Sequence, residues 1–119
     1  MPKKFIKAFR FARAGAEHAW KTQRNLWIHF CVGLLVLAFG VYINVSLYEL
    51  SILILAIFGV IVAEMFNTSV EEMVNILSPE RRKEAELAKN VAAGAVLLSA
   101  SGAVLIGLMI FGARLFPCY

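Results

Sequence analysis

Two stretches of this chain, residues 26–48 and 91–113, each run for 23 residues without a Lys, Arg, Asp or Glu. As helices they would reach about 35 Å, enough to cross a hydrocarbon core of about 30 Å. Between them, residues 50–77 form a third apolar stretch that would be about 42 Å long, so its last turns should project into the headgroups. Inside lipid every backbone amide must be satisfied within its own segment or a closed barrel, so runs of this length dictate helices. The expected fold class is all-α integral membrane: one domain over residues 1–119 with transmembrane helices at 26–48, 50–77 and 87–115. The chain is 61% hydrophobic and 17% charged. A soluble domain of 119 residues has too little interior to hide that much apolar surface. Cys31 and Cys118 lie far apart in sequence and form no metal or redox pattern. The basic N-terminus is followed by more charge instead of an apolar core and cleavage site, so no secretory leader is expected.

Residues 1–24 hold seven of the twelve Lys and Arg, while Phe5, Ile6, Phe9, Ala12, Ala16 and Trp20 recur near helical spacing among them. That pattern predicts a basic amphipathic helix lying on a membrane surface. Nothing resembles a nucleic-acid-binding fold, so no nucleic-acid partner is expected. The second connection carries Arg81, Arg82 and Lys83, whereas the first, around residues 44–49, has no Lys or Arg. The positive-inside rule then places the N-terminus and second connection in the cytoplasm, with the C-terminus outside and Arg114 snorkelling there. Ser78-Pro79 reads as the start of the last helix. The small residues at 92–95, with Gly102, Gly107 and Gly112, suit close helix packing. Trp20 and Trp27 read as interfacial anchors, as do Tyr42 and Tyr48 on the other side.

The third apolar stretch ends in IVAEMFNTSVEEMVNIL (61–77), which interrupts its own hydrophobicity. At about 100° per residue, Glu64, Asn67, Glu71 and Asn75 fall within an arc of roughly 80°, with Thr68 beside them. A carboxylate at membrane depth costs about 2.5–3.5 kcal/mol on insertion scales. Interhelical polar contacts return about 0.6 kcal/mol each, too little for helix-to-helix adhesion alone to account for Glu64. Carboxylates one or two turns apart, with Lys89 entering the next helix, offer an acid/base group, a hard-metal ligand and a cation, the parts phosphoryl transfer uses. No G-x-x-x-x-G-K-[ST] loop is present. Spacing alone therefore reaches an intramembrane acidic site able to bind a metal, and an ion-conducting protein built around Glu64 fits the same pattern. Glu72 reads as a solvated acid at headgroup level, and His29 as a packed interfacial residue.

Three segments resemble one family. AEMFNTSVEEMVN looks like the E-x-x-N-[ST]-x-x-E signature of the small prokaryotic diacylglycerol kinase and undecaprenol kinase family, and AKNVAAGAVL (88–97) looks like its A-K-D-x-[AG]-[AS]-[AG]-A-V-L segment. KTQRNLWIH (21–29) is similar to the K-T-E-R-N-x-x-I-H segment of Gram-positive-type members, which tilts the expected substrate towards undecaprenol over diacylglycerol. The resemblance implies a homotrimer in the bacterial inner membrane, with sites shared between subunits, that moves the γ-phosphate of ATP, with Mg²⁺, to a membrane lipid alcohol. It implies Glu64 as general base, Asn67 as an ordering residue, Glu71 as metal ligand and Lys89 as a γ-phosphate contact. By a looser alignment it puts Lys7, Phe11 and Ala12 where the surface helix meets nucleotide and lipid.

This chain departs from the family pattern at three positions. Gln23 stands at a metal-binding Glu, Asn75 where the first motif closes with Asp, and Asn90 where Asp follows the Lys beside the nucleotide. An amide oxygen can ligate Mg²⁺ but brings no charge. Asn90 can neither act as a base nor neutralise Lys89. A non-catalytic, lipid- or nucleotide-binding member of the family is the alternative these amides raise.

Overall fold

The computed structural model describes residues 2–80 and 82–117, and Arg81 and Cys118, both named above, lie outside the described residues. The described chain is all-helical: α1 (Pro2–Thr22), α2 (Arg24–Tyr42), α3 (Leu47–Leu77) and α4 (Lys83–Leu115). Three of them, α2, α3 and α4, are long and apolar enough to cross a membrane. α3 is central, packed against α2 on one side and α4 on the other, while α1 touches α2 and α3.

The first break in the chain is a single residue. Gln23 adopts an extended conformation (φ −113°, ψ 109°), which turns α1 away from α2. The corner is held by aromatic packing: the Trp20 and Trp27 rings lie 3.9 Å apart, Phe30 meets Trp20 edge-on, and the Trp27 indole N–H donates to the Trp20 carbonyl at 2.8 Å. Ala19 and Leu26 are buried on either side of it. The two tryptophans thus form one cluster at a helix corner.

α2 ends six residues earlier than the uncharged run predicts. Asn44 takes the left-handed conformation (φ 61°), its N–H bonds the Val41 carbonyl, and the Val45 N–H bonds the Gly40 carbonyl. This is a Schellman closure with Asn at the αL position. Val45 folds back over Gly40, where an added Cβ would sit 3.4 Å from Val45 Cγ2. Two residues after Asn44, Ser46 caps α3: its hydroxyl accepts the Glu49 N–H at 3.1 Å and the Glu49 carboxylate accepts the Ser46 N–H at 2.8 Å. Absence of charge cannot reveal either signal, so the apolar run is divided between two helices.

α2 and α3 approach closely at Gly33, where a Cβ would lie 2.7 Å from Ile57 Cγ2. The glycines of α4 do not serve the same purpose inside this chain, because a Cβ on Gly94, Gly102, Gly107 or Gly112 would meet nothing within 4 Å. α4 begins at Lys83 instead of Pro79, and Ser78 closes α3, its N–H bonding the Val74 carbonyl. Glu84 and Glu86 lie in the first turn of α4 and Arg114 in its last, each on the favourable side of the helix dipole. At that far end Arg114 pairs with Glu49 at 2.9 Å, tying the end of α4 to the start of α3.

The side chains buried on α3 are Leu53, Val60, Glu64, Asn67 and Thr68. They fall within an arc of about 100°, so the apolar packing seam and the polar stripe are one continuous face. Large apolar side chains are exposed along α2, α3 and α4 alike, as expected where the solvent is lipid.

Candidate functional site

The polar third of the α3 seam lies at the end of the bundle that carries α1 and the α3–α4 connection. Glu64 is its deepest member, with 2% of its surface exposed. Facing it from α2 is His29, whose Nε2 lies 3.7 Å from Glu64 Oε2, with 27% of the His29 side chain exposed. That separation makes an electrostatic contact and is too long for a hydrogen bond. Thr68 donates its hydroxyl hydrogen to the Glu64 carbonyl at 3.0 Å, holding the turn that carries the acid.

One turn further on, Asn67 donates its amide N–H to Glu71 Oε1 at 3.3 Å. The other end of that amide, Asn67 Oδ1, is buried without a hydrogen-bond partner. A buried acceptor left open costs about 1–3 kcal/mol, so this oxygen is available to a ligand or a neighbouring donor. A hard cation suits the oxygen pair of Asn67 Oδ1 and Glu71, since Mg²⁺ is commonly held by one or two carboxylates and completed by phosphate and water. Among the described residues no group of three or more His, Cys, Asp or Glu side chains gathers for a metal. Gln23 sits at the α1–α2 corner, and its side chain makes no hydrogen bond to the α3 stripe among the described residues.

The outermost tier faces the connection. Lys89 donates from Nζ to Asn75 Oδ1 at 2.7 Å, joining α4 to α3. Both line a cleft of about 400 Å³, with Ser78, Arg82, Glu86 and Asn90 also on its wall. Glu64 and Asn75 are eleven residues apart, about 16 Å along the helix. Lys89 is therefore drawn towards the connection, away from the buried acid. Lys7, Phe11 and Ala12 lie on the exposed part of α1, which reaches the bundle only near Ala19, so this chain does not bring them to Glu64. Glu72 is tied to α1, its Oε1 lying 2.5 Å from His18 Nε2.

A second cavity, about 640 Å³ and almost wholly apolar, opens between α2, α3 and α4. His29 lies on its wall, together with Gly33, Ile57, Val60, Val104 and Phe111. Val60 is one turn from Glu64, so the apolar groove leads to the buried acid.

The pairings of His29 with Glu64 and His18 with Glu72 have no local sequence signal.

Three membrane-length helices with a buried acid at the end of an apolar groove define a class: small helical membrane proteins with a polar site on one central helix. The chain belongs to the prokaryotic diacylglycerol kinase family, whose model matches residues 10–111. It is 37% identical over 103 residues to a diacylglycerol kinase of Synechocystis sp., a match covering 86% of this chain and 59% of that protein. It is 34% identical over 108 residues to an undecaprenol kinase of Bacillus subtilis, covering 91% of this chain and 88% of that one. The chain thus spans less than two thirds of the first relative and most of the second. Both relatives are named as lipid kinases, and with its three candidate spans the chain is a bacterial membrane protein.

Proposed function

We propose that this protein transfers the γ-phosphate of ATP to the hydroxyl of a membrane lipid alcohol at the cytoplasmic face of the membrane. The observation that carries this reading is Glu64, a carboxylate 2% exposed where an apolar groove ends. Burial of such a group is costly unless a reaction or partner uses it. The lipid chain would lie in the groove with its hydroxyl at Glu64. The hydroxyl hydrogen passes to Glu64, the oxygen–phosphorus bond forms, the β–γ bridge of the nucleotide breaks, and ADP leaves.

Lys89 and Arg82 would hold the nucleotide's phosphates at the connection, with the γ-phosphate reaching along the α3 stripe past Glu71 and Asn67 towards Glu64. Glu71 and Asn67 Oδ1 would hold Mg²⁺, which when bound offsets phosphate charge. Gln23 would serve as a neutral oxygen ligand, and Lys7, Ala12 and Asn90 would line the nucleotide. Since α1 of one chain leaves Lys7 and Ala12 away from its own Glu64, the reading includes a homotrimer in which neighbouring chains complete the site. Undecaprenol is favoured over diacylglycerol by KTQRNLWIH. The basic N-terminal helix and second connection favour a cytoplasmic N-terminus and an external C-terminus.

The test is the purified protein in nanodiscs with MgATP and each lipid in turn. Phosphate transfer to undecaprenol should exceed that to diacylglycerol, and Glu64→Gln should lower kcat by about 10²–10⁴-fold. No transfer to either lipid by a folded protein would sink the reading. A non-catalytic, ligand-binding member is the second reading, favoured by the amides at Gln23 and Asn90; it predicts no transfer by the unsubstituted chain and a gain of transfer in Asn90→Asp.

A further inference from the structure

His29 is the one imidazole inside the bundle, and the reaction as written above does not use it. α2 carries no ionisable side chain besides His29 and Cys31 between Arg24 and Tyr42; α3 carries none between Glu49 and Glu64; α4 carries none between Lys89 and Arg114. At the depth of Glu64, His29 is therefore the nitrogen-bearing side chain that meets the acid, and it alone of the two also lines the apolar groove. The 3.7 Å between Nε2 and Oε2 is longer than a hydrogen bond, yet a single oxygen atom placed beside that gap can lie about 2.8 Å from both.

We propose that His29 is a positioning residue for the acceptor: its Nε2–H donates to the lipid hydroxyl oxygen while Glu64 Oε2 accepts the hydroxyl hydrogen. This inference rests on the kinase reading above and deepens it. Two contacts on one hydroxyl fix both its place and the direction of its remaining lone pair, which must face the phosphate. Orientation of this kind is worth large factors in rate because the reacting atoms arrive already aligned. The hydrogen still passes to Glu64, and His29 neither gains nor loses a proton in the step. The arrangement requires the Nε2–H tautomer. It also selects for an alcohol, since an ester or ether oxygen entering the gap offers no hydrogen to Glu64 and leaves that acceptor unsatisfied.

The experiment compares the full-length protein with His29→Phe and His29→Gln in nanodiscs, using MgATP with undecaprenol and with diacylglycerol. Phe keeps the ring volume and removes the donor, whereas the Gln amide can present an N–H near the place of Nε2. His29→Phe should lower kcat by about 10- to 100-fold, with the nucleotide KM within about twofold of the parent, and His29→Gln should stay within about fivefold in kcat. Ring ¹⁵N chemical shifts of the unsubstituted protein should show His29 as the Nε2–H tautomer. An unchanged kcat in His29→Phe, an equal loss in both variants, or an Nδ1–H tautomer would each overturn the positioning role while leaving the kinase reading intact. No transfer by the unsubstituted protein would overturn the kinase reading and the positioning role with it.

Discussion

Asn75 stands where the motif the sequence resembles closes with Asp, and the structure gives the residue a partner. Its amide oxygen accepts from Lys89 at 2.7 Å, so a neutral group holds the ammonium and leaves its charge available to an anion. Asn75→Leu removes that hold, and nucleotide KM should rise by about three- to tenfold in a steady-state kinase assay with kcat less affected. An unchanged KM would mean that Lys89 finds phosphate without Asn75. Much of the site at this scale was legible beforehand. Glu64, Asn67, Glu71 and Asn75 share a narrow arc, and helical periodicity is enough to see it. What periodicity could not supply was the partner across each gap. His29 meets Glu64, His18 meets Glu72 and Asn75 meets Lys89 because of how separate helices stack. Nor could it show that Asn67 Oδ1 is left open, since an orphaned acceptor exists only once its surroundings are packed.

The helices themselves carry local instructions that a count of charges overlooks. Asn44 and the reciprocal bonds of Ser46 and Glu49 end α2 and start α3 within a few residues. Ser46→Ala should cost about 1 kcal/mol, read as a shift in unfolding on titration with a denaturing detergent. Gly33 fixes how closely α2 approaches α3. Gly33→Leu should destabilise by roughly 1–3 kcal/mol in the same titration, because Ile57 is β-branched and its Cγ2 has little freedom to move aside. A Gly33→Leu protein as stable as its parent would show that the two helices can part without loss. The spans were readable because lipid demands long uncharged segments. The boundary at Tyr42 was harder, since a tight turn at the membrane edge can itself be apolar on both flanks. The S-x-x-E capping pattern at Ser46 was the signal that would have corrected it.

Seen whole, the chain has a thin core and a great deal of uncovered apolar surface. Phe5 and Phe9 on α1 are 79% and 71% exposed, beside Lys3, Lys4, Lys7, Arg10 and Arg13. A Phe9→Trp reporter should be quenched by brominated lipids in nanodiscs, as a helix lying in the interface requires, and no quenching would place α1 in water. The glycines of α4 that meet nothing within one chain, and the distance of Lys7 and Ala12 from Glu64, accord with the proposed trimer. Light scattering should then give a protein mass near three copies of the 13.2 kDa chain. The amino-acid sequence by itself determined that this protein is a set of membrane-length helices, that its N-terminal arm is basic and amphipathic, and that acids and amides share one face of α3. Those properties follow from the solvent each segment tolerates and from helical pitch, which are local. Only the tertiary structure decided that α3 is the central helix, that Glu64 is sealed at the end of an apolar groove opposite His29, and that Lys89 rests on Asn75. Those are contacts between residues far apart in the chain, and their geometry is fixed by the close approach at Gly33, the turn at Asn44 and the corner at Gln23 acting together.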